Sequence, residues 1–293
     1  MVVNDVITEN IIDNYLCYLK EEEKSRATIE KYIRDVKRFA RYADGQRITK
    51  ELVMGFKQDL QNAELSVRSI NSILASVGSL LRFLGLESCK VKSLRLQKKA
   101  YCDADQELTK KEYVRLVEAA KDNPRLALLI QTICSTGIRV SELTYFTVEA
   151  VRKGEITVSC KNKTRTILIP KKMRKLLNDY ARKNGIRSGI IFCTKNGKPM
   201  DRSNIWREMK RLCERARVKM SKVFPHNLRK LFAKSFYNLE KDIAKLADVL
   251  GHSSINTTRI YIMTSGAEHM RKIERLGLVI GTGGIRTGKR KTT

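Results

Sequence analysis

"GEITVSCKNKTRTILIP", residues 154–170, is where the period of this chain changes. Val, Ile and Thr alternate with polar residues on both sides of a basic tip, Lys161-Asn162-Lys163, the pattern of a two-stranded hairpin. Its surroundings follow helical spacing instead. "RLALLIQTICSTGIRVSELTYF" (125–146) reads as an apolar helix, a Thr-Gly break and a second helix beginning near Arg139, and residues 171–183 return to helix. "IIFCTKNGKPM" (190–200) predicts a short strand with an Asn-Gly turn. "NIWREMKRLCERA" (204–216), "HNLRKLFAKSFYNL" (226–239) and "DIAKLADVLGH" (242–252) predict three more helices. Little strand in a helical chain sets the fold class: mainly α with a small antiparallel β-sheet.

Upstream, helices account for nearly everything. In "ATIEKYIRDVKRFARY" (27–42), Ile29, Tyr32, Ile33, Val36, Phe39 and Ala40 share one face while the basic residues lie elsewhere. "TKELVMGFKQDL" (49–60) and "SVRSINSILASVGSLLRFL" (66–84) repeat the pattern, opened by Thr49 and Ser66 as caps. An earlier helix covers about 8–23, which completes a four-helix unit over 1–90. Periodicity then fades and basic residues gather, predicting a linker over 91–107. A second domain, 108–280, opens at the capping-box pair Thr109 and Glu112. The tail from 281 to 293, rich in Gly, Thr and Lys, predicts a flexible end.

Charge narrows the function. Fifty-nine Lys and Arg against 31 acids give a net +28 over 293 residues, and the excess is uneven. Residues 1–100 hold 18 basic and 13 acidic residues, net +5; the rest hold 41 and 18, net +23. A field of that sign and size suits a polyanion, with nucleic acid favoured over a membrane surface. No stretch approaches the run of about 20 apolar residues that a membrane span needs. The N-terminus "MVVNDVITENIIDNY" has no basic region of the kind that opens a secretory signal. Seven scattered cysteines without a C-x-x-C pair suggest neither a disulfide framework nor a zinc site, and fit a reducing cytoplasm.

Six residues of the second domain could carry chemistry: Arg139, Lys161, His226, Arg229, His252 and Tyr261. Each has an ordinary explanation alone. Arg139 could pair with Glu142, Lys161 could be a solvated lysine at a hairpin tip, and His226 could cap a helix. His252 follows the helix stop Gly251, and Tyr261 could be a core aromatic. Together they match the needs of phosphoryl transfer: cations around the equatorial oxygens, a nucleophile and a proton donor. Arginine forks bind phosphate bidentately. A tyrosine hydroxyl, pKa about 10 when free, becomes a usable nucleophile beside cations. No D-x-D, H-E-x-x-H or phosphate-loop motif stands in the chain, so neither a metal nor a nucleotide cofactor is expected.

The motif order "TGIRVSEL" (136–143), "CKNKTRTILIP" (160–170), "HNLRK" (226–230) and "LGHSSINTTRIY" (250–261) resembles the tyrosine recombinases of the phage-integrase and Xer type. The resemblance covers most of the chain. It implies a helical, SAM-like core DNA-binding domain at 1–90 and a catalytic domain at 108–280. Arg139 and Arg229 are implied as the clamp on the scissile phosphate, and Tyr261 as the nucleophile that forms a 3′-phosphotyrosyl link. Lys161 is implied as general acid for the leaving 5′-hydroxyl. The resemblance also implies that His226 assists proton transfer, that His252 binds the phosphate or orients the nucleophile, and that Glu142 does at most support Arg139. The family's hairpin usually reads Gly-Lys-Gly, whereas Cys160-Lys161-Asn162-Lys163 stands here, which makes Lys163 the alternative acid. The helix expected at 267–278, with Met270, Ile273 and Leu276 in a stripe, resembles the family's C-terminal helix, exchanged between protomers; docking on its own domain is the alternative.

Implied partners are duplex DNA with a specific core site and copies of the same chain in a synaptic tetramer that passes through a Holliday junction. No membrane and no cofactor are implied, and the implied location is the prokaryotic cytoplasm, at the nucleoid. Integrase, resolvase and invertase roles all fit, and no added N-terminal arm-binding domain is expected. A type IB topoisomerase shares the tyrosine, arginines and lysine, and a non-catalytic DNA-binding accessory factor is the alternative from another class.

Overall fold

Four Ser and Thr side chains punctuate the first hundred residues. Thr8, Ser25, Thr49 and Ser66 each accept the backbone N–H three residues on, starting α1 (Glu9–Glu21), α2 (Arg26–Ala43), α3 (Lys50–Asn62) and α4 (Val67–Phe83). The structure, a computed structural model, describes residues 5–95, 104–160, 163–194, 196–264 and 266–279. The chain divides into two compact units, Met1–Lys98 and Lys99–Thr293. In the first, the apolar stripes meet in one core that includes Tyr15, Leu19, Phe39, Phe56, Leu60, Val77 and Leu80. Each large side chain sealed there contributes about 1.5–3 kcal/mol. Asp35, buried on α2, is compensated by Lys31 Nζ at 2.6 Å and the Ser76 hydroxyl at 2.8 Å.

The segment expected as a linker is held at both of its described ends. Cys89 is buried and Leu94 packs on the first core, where Asn71 takes up both its N–H and its carbonyl. On the far side, the Gln106 carbonyl accepts from Asn227 Nδ2 at 2.7 Å, and Glu107 pairs with Lys230 and Lys234. Residues 96–103 lie outside the described residues.

In the second unit, Thr109 and Glu112 cap α5 (Lys110–Ala119) reciprocally. Next come α6 (Pro124–Thr136), a 3-10 helix (Val140–Tyr145), α7 (Val148–Lys153), β1 (Glu155–Cys160), β2 (Lys163–Leu168) and α8 (Lys171–Lys183). The remaining helices are α9 (Arg202–Arg211), α10 (Cys213–Ala216), α11 (Pro225–Glu240), α12 (Ile243–Leu250), α13 (Ile255–Ile262) and α14 (Gly266–Glu274). β1 and β2 pair antiparallel, Glu155 opposite Leu168 through Cys160 opposite Lys163, and bury Ile156, Val158 and Ile167 on one face. The fold is therefore mainly α with a small antiparallel sheet. The turn residues Lys161 and Asn162 lie outside the described residues, as does the tail from 280.

Three expectations need correction. The helix near Arg139 is a single 3-10 segment of six residues, because Glu142 folds back to its start and Phe146 leaves helical geometry. The strand expected in 190–200 is reduced to isolated bridges, Thr147 with Ile190 and Cys193 with Pro199. Pro199 has no N–H to extend a ladder, and Gly189 and Gly197 turn the chain at positive φ. Ile191 and Phe192 still anchor this segment in the core.

A small separate cluster of Ala233, Leu246, Leu250 and Tyr261 joins α11, α12 and α13. The last helix, α14, runs from Gly266 to Glu274 rather than 267–278 and buries none of its residues. Met270, Ile273 and Leu276 stay exposed. Among the described residues no helix is long and apolar enough to cross a membrane.

Candidate active site

Two glycines let three segments converge. α6 stops at Gly137 (φ +64), where an added Cβ would sit 2.3 Å from Phe232 of α11, and α12 stops at Gly251 (φ +63) against Arg165. Both positions need a residue without a Cβ. The carbonyls of these two helix ends point at one guanidinium. Arg229, 2% exposed on α11, donates from Nη1 to the Gly137 carbonyl and from Nη2 to the Leu250 carbonyl at 2.7 Å. Helix C-termini carry partial negative charge, which favours a buried cation there. Burial, then the neighbouring Arg139, still pull its pKa down to about 10, so it remains charged at neutral pH. Arg229 Nε is buried and finds no acceptor among the described residues.

Arg139 reaches the same place from the start of the 3-10 helix. Its Nη2 donates to the Gly251 carbonyl at 3.2 Å and its Nη1 to Glu142 Oε1 at 3.1 Å, while its backbone N–H donates to Glu142 Oε2 at 2.7 Å. The ion pair with Glu142 that an isolated arginine suggested does exist. It fixes this side chain, 39% exposed, with N–H donors to spare. A third arginine, Arg165 of β2, donates to Glu142 Oε2 at 2.6 Å and to the Val249 carbonyl. Three arginines around one carboxylate leave the site strongly positive.

His252 follows Gly251, and its hydrogen bonds settle its tautomer. Arg229 Nη2 carries only hydrogens to donate, so His252 Nε2 accepts at 3.0 Å, and Nδ1–H donates to the buried Thr258 hydroxyl at 2.9 Å. Burial first, and then Arg229, Arg139 and Arg165, push its pKa from 6.5 to about 4. It is neutral at pH 7. Thr258 lies one turn before Tyr261 on α13, so a chain of contacts runs from Arg229 through His252 to the tyrosine's helix.

Tyr261 is 8% exposed and stands between two imidazoles, with ring centroids 5.0 Å from His226 and 5.0 Å from His252. The Arg229 guanidinium carbon lies 6.0 Å from its ring centre. The tyrosine hydroxyl is 3.5 Å from His226 Nδ1, at the edge of hydrogen-bond reach. His226 sits in the first turn of α11, behind Pro225. Its pKa is lowered by burial and then by Arg229, Lys230, Arg202 and Arg139, which keeps the ring neutral and able to accept a proton.

The structure thus brings together Arg139, His226, Arg229, His252 and Tyr261. Lys161 lies outside the described residues, and Lys163 is described only by its place in β2. Arg165 and Thr258 were not singled out by the sequence. For Arg165 a signal existed: alternation from buried Ile167 and Ile169 puts it on the inward face of β2, where a charge needs a partner. Among the described residues no group of three His, Cys, Asp or Glu could hold a metal ion. The assembled chemistry is a positive cradle beside a phenol whose hydroxyl faces a neutral imidazole.

Comparison with known proteins converges on one family. Residues 106–268 match the model described as phage integrase family, and residues 12–88 match the phage integrase N-terminal SAM-like domain. Tyrosine recombinase XerA of Pyrococcus furiosus is 29% identical over 284 residues, 93% of this chain and 96% of that protein. A lambda integrase tetramer bound to a Holliday junction is similar with a TM-score of 0.69 at 18% identity, over 88% of this chain and 78% of that one. XerH site-specific recombinase bound to its difH substrate gives a TM-score of 0.66 at 19% identity, over 92% and 90% of the two chains. These two structures share its fold.

Proposed function

The chain belongs to the phage integrase family and is a site-specific tyrosine recombinase, and we propose a division of labour for its site residues. Duplex DNA is the substrate, with a specific core site, and copies of the chain assemble on it as a synaptic tetramer that passes through a Holliday junction. Arg139 and Arg229 hold the non-bridging oxygens of the scissile phosphate; the spare N–H donors of part-exposed Arg139, beside Arg229, support this. The Tyr261 oxygen attacks phosphorus as its proton passes to His226 Nδ1. The bond to the 5′-oxygen breaks, and Lys161 at the hairpin tip protonates that oxygen, with Lys163 as the alternative. A 3′-phosphotyrosyl link and a free 5′-hydroxyl result. Attack by the 5′-hydroxyl of a second duplex reverses the step and rejoins the strands. One phosphodiester is exchanged for another throughout, so the bond energy is kept in the link. His252 positions Arg229 against the helix of Tyr261.

We assign residues 1–90 as the core DNA-binding domain and 108–280 as the catalytic domain. The exposed stripe of α14 docks on a neighbouring protomer, and the enzyme works in the cytoplasm, at the nucleoid. The observation that carries the assignment is the Tyr261 hydroxyl 3.5 Å from the His226 imidazole and beside Arg229, which Arg139 neighbours. A core-site duplex nicked close to the cleavage point loses its short 5′-hydroxyl fragment, so cleavage cannot reverse. Wild type is expected to accumulate a covalent adduct and Tyr261→Phe to form none. An adduct with Tyr261→Phe overturns the assignment.

A further inference from the structure

Arg165 belongs to none of the roles above, yet it touches two of the segments that build the cradle, the 3-10 helix at Glu142 and the end of α12 at Val249 and Gly251. Its stem leaves the inward face of β2 and lies against Gly251, where a Cβ would stand 2.5 Å from Arg165 Cδ and 2.9 Å from Nε. Its side chain is 13% exposed. Its two terminal nitrogens diverge: one donates to the Val249 carbonyl, two residues before Gly251, and the other to Glu142 Oε2 at 2.6 Å. Glu142, with 4% of its side chain exposed, holds Arg139 on its other oxygen at 3.1 Å. One guanidinium therefore fastens the hairpin strand to the carboxylate behind Arg139 and to the turn that presents His252.

We propose that Arg165 is a positioning residue for DNA cleavage: by bridging Glu142 and the Val249 carbonyl, it holds Arg139 and the Gly251–His252 turn in the geometry that clamps the scissile phosphate. The inference rests on the recombinase assignment above. Without Arg165, the buried Glu142 carboxylate has Arg139 as its remaining side-chain cation and draws that charge inward, away from the phosphate. The bridge needs a planar fork that reaches two acceptors on different elements. A lysine ammonium at this position keeps the charge but is a compact point charge that lacks the fork.

The test is single-turnover cleavage of the nicked core-site duplex by full-length wild type, Arg165→Lys and Arg165→Gln. Both variants are expected to bind the duplex within about threefold of wild type and to cleave about 10–100-fold more slowly, the size of effect a small misplacement produces. Lysine should not restore the rate. On a duplex whose scissile phosphate is a neutral methylphosphonate, which offers the clamp no charge to balance, the gap to wild type should narrow. Wild-type cleavage by Arg165→Gln overturns the proposal, as does full rescue by lysine. So does recovery on a duplex with a 5′-thio leaving group, which needs no proton and would place the defect at the hairpin's general acid. If the single variants fail to fold, the pair Glu142→Gln with Arg165→Gln, which buries no lone charge, is expected to fold and remain slow, because Arg139 and the Val249 carbonyl both lose the bridge that fixes them; wild-type cleavage by that pair overturns the proposal. Absence of an adduct with wild type sinks the recombinase assignment itself, whereas a normal wild-type adduct with unimpaired Arg165 variants sinks only this inference.

Discussion

A histidine that gives up its proton readily ties two functional groups together here. His252 has a folded pKa of about 4 against 6.5 for an ordinary histidine. Between these values the unfolded chain binds more protons than the folded one, so stability rises with pH across that window and is lost as pH falls through it. Thermal melts of wild type and His252→Gln from pH 7 to pH 4 should show a shallower decline for the variant; parallel curves would contradict the neutral, buried imidazole. Thr258 supplies the acceptor that fixes the tautomer. Thr258→Val keeps the shape and strands the Nδ1–H, with an expected destabilisation of about 1–3 kcal/mol by chemical denaturation. That variant should also show slower adduct formation, because the ring is then free to turn from Arg229. Five of the six expected side chains stand together, yet Arg165 went unmarked in the sequence. Its meaning depends on Glu142 and Val249, 23 and 84 residues away, and spacing along the chain does not express such contacts.

Elements follow the sequence where their ends carry local chemistry. Thr49, Ser66 and Thr109 each announce a helix and each caps one, as Thr8 and Ser25 do in the structure, and the change of period at 154–170 marks the hairpin. Where geometry depends on distant packing, the reading falters. Val140–Tyr145 winds as a 3-10 turn because Glu142 serves Arg139 and Arg165, and Pro199 stops a ladder that hydropathy alone would extend. Gly137 is the element-scale position with the clearest consequence. Ala there must hold φ +64 and meet Phe232, so Gly137→Ala is expected to destabilise by about 1–2 kcal/mol from the backbone alone, and further from the clash. Urea denaturation measures it. The same variant should also slow cleavage, since the Gly137 carbonyl holds Arg229.

At the scale of the molecule, charge and one uncovered helix matter most. The net +28 should make DNA affinity steeply salt-dependent. With six or more phosphates contacted, fluorescence anisotropy should show a loss of about a thousandfold between 50 and 200 mM salt, and a flat response would contradict an electrostatic footprint. α14 buries nothing, so Met270→Ser with Ile273→Ser should leave the melting of the free chain nearly unchanged, within about 0.5 kcal/mol. The same pair should weaken the synaptic complex on native gels, because it removes the stripe proposed to dock on a neighbouring protomer. Central to the whole account is the atom that forms the covalent link. Wild-type adduct on the nicked core-site duplex, digested with protease and nuclease and sequenced by mass spectrometry, should carry a nucleotide 3′-phosphate on Tyr261. A modified residue elsewhere in the chain, or a linkage through a 5′-phosphate, would contradict it.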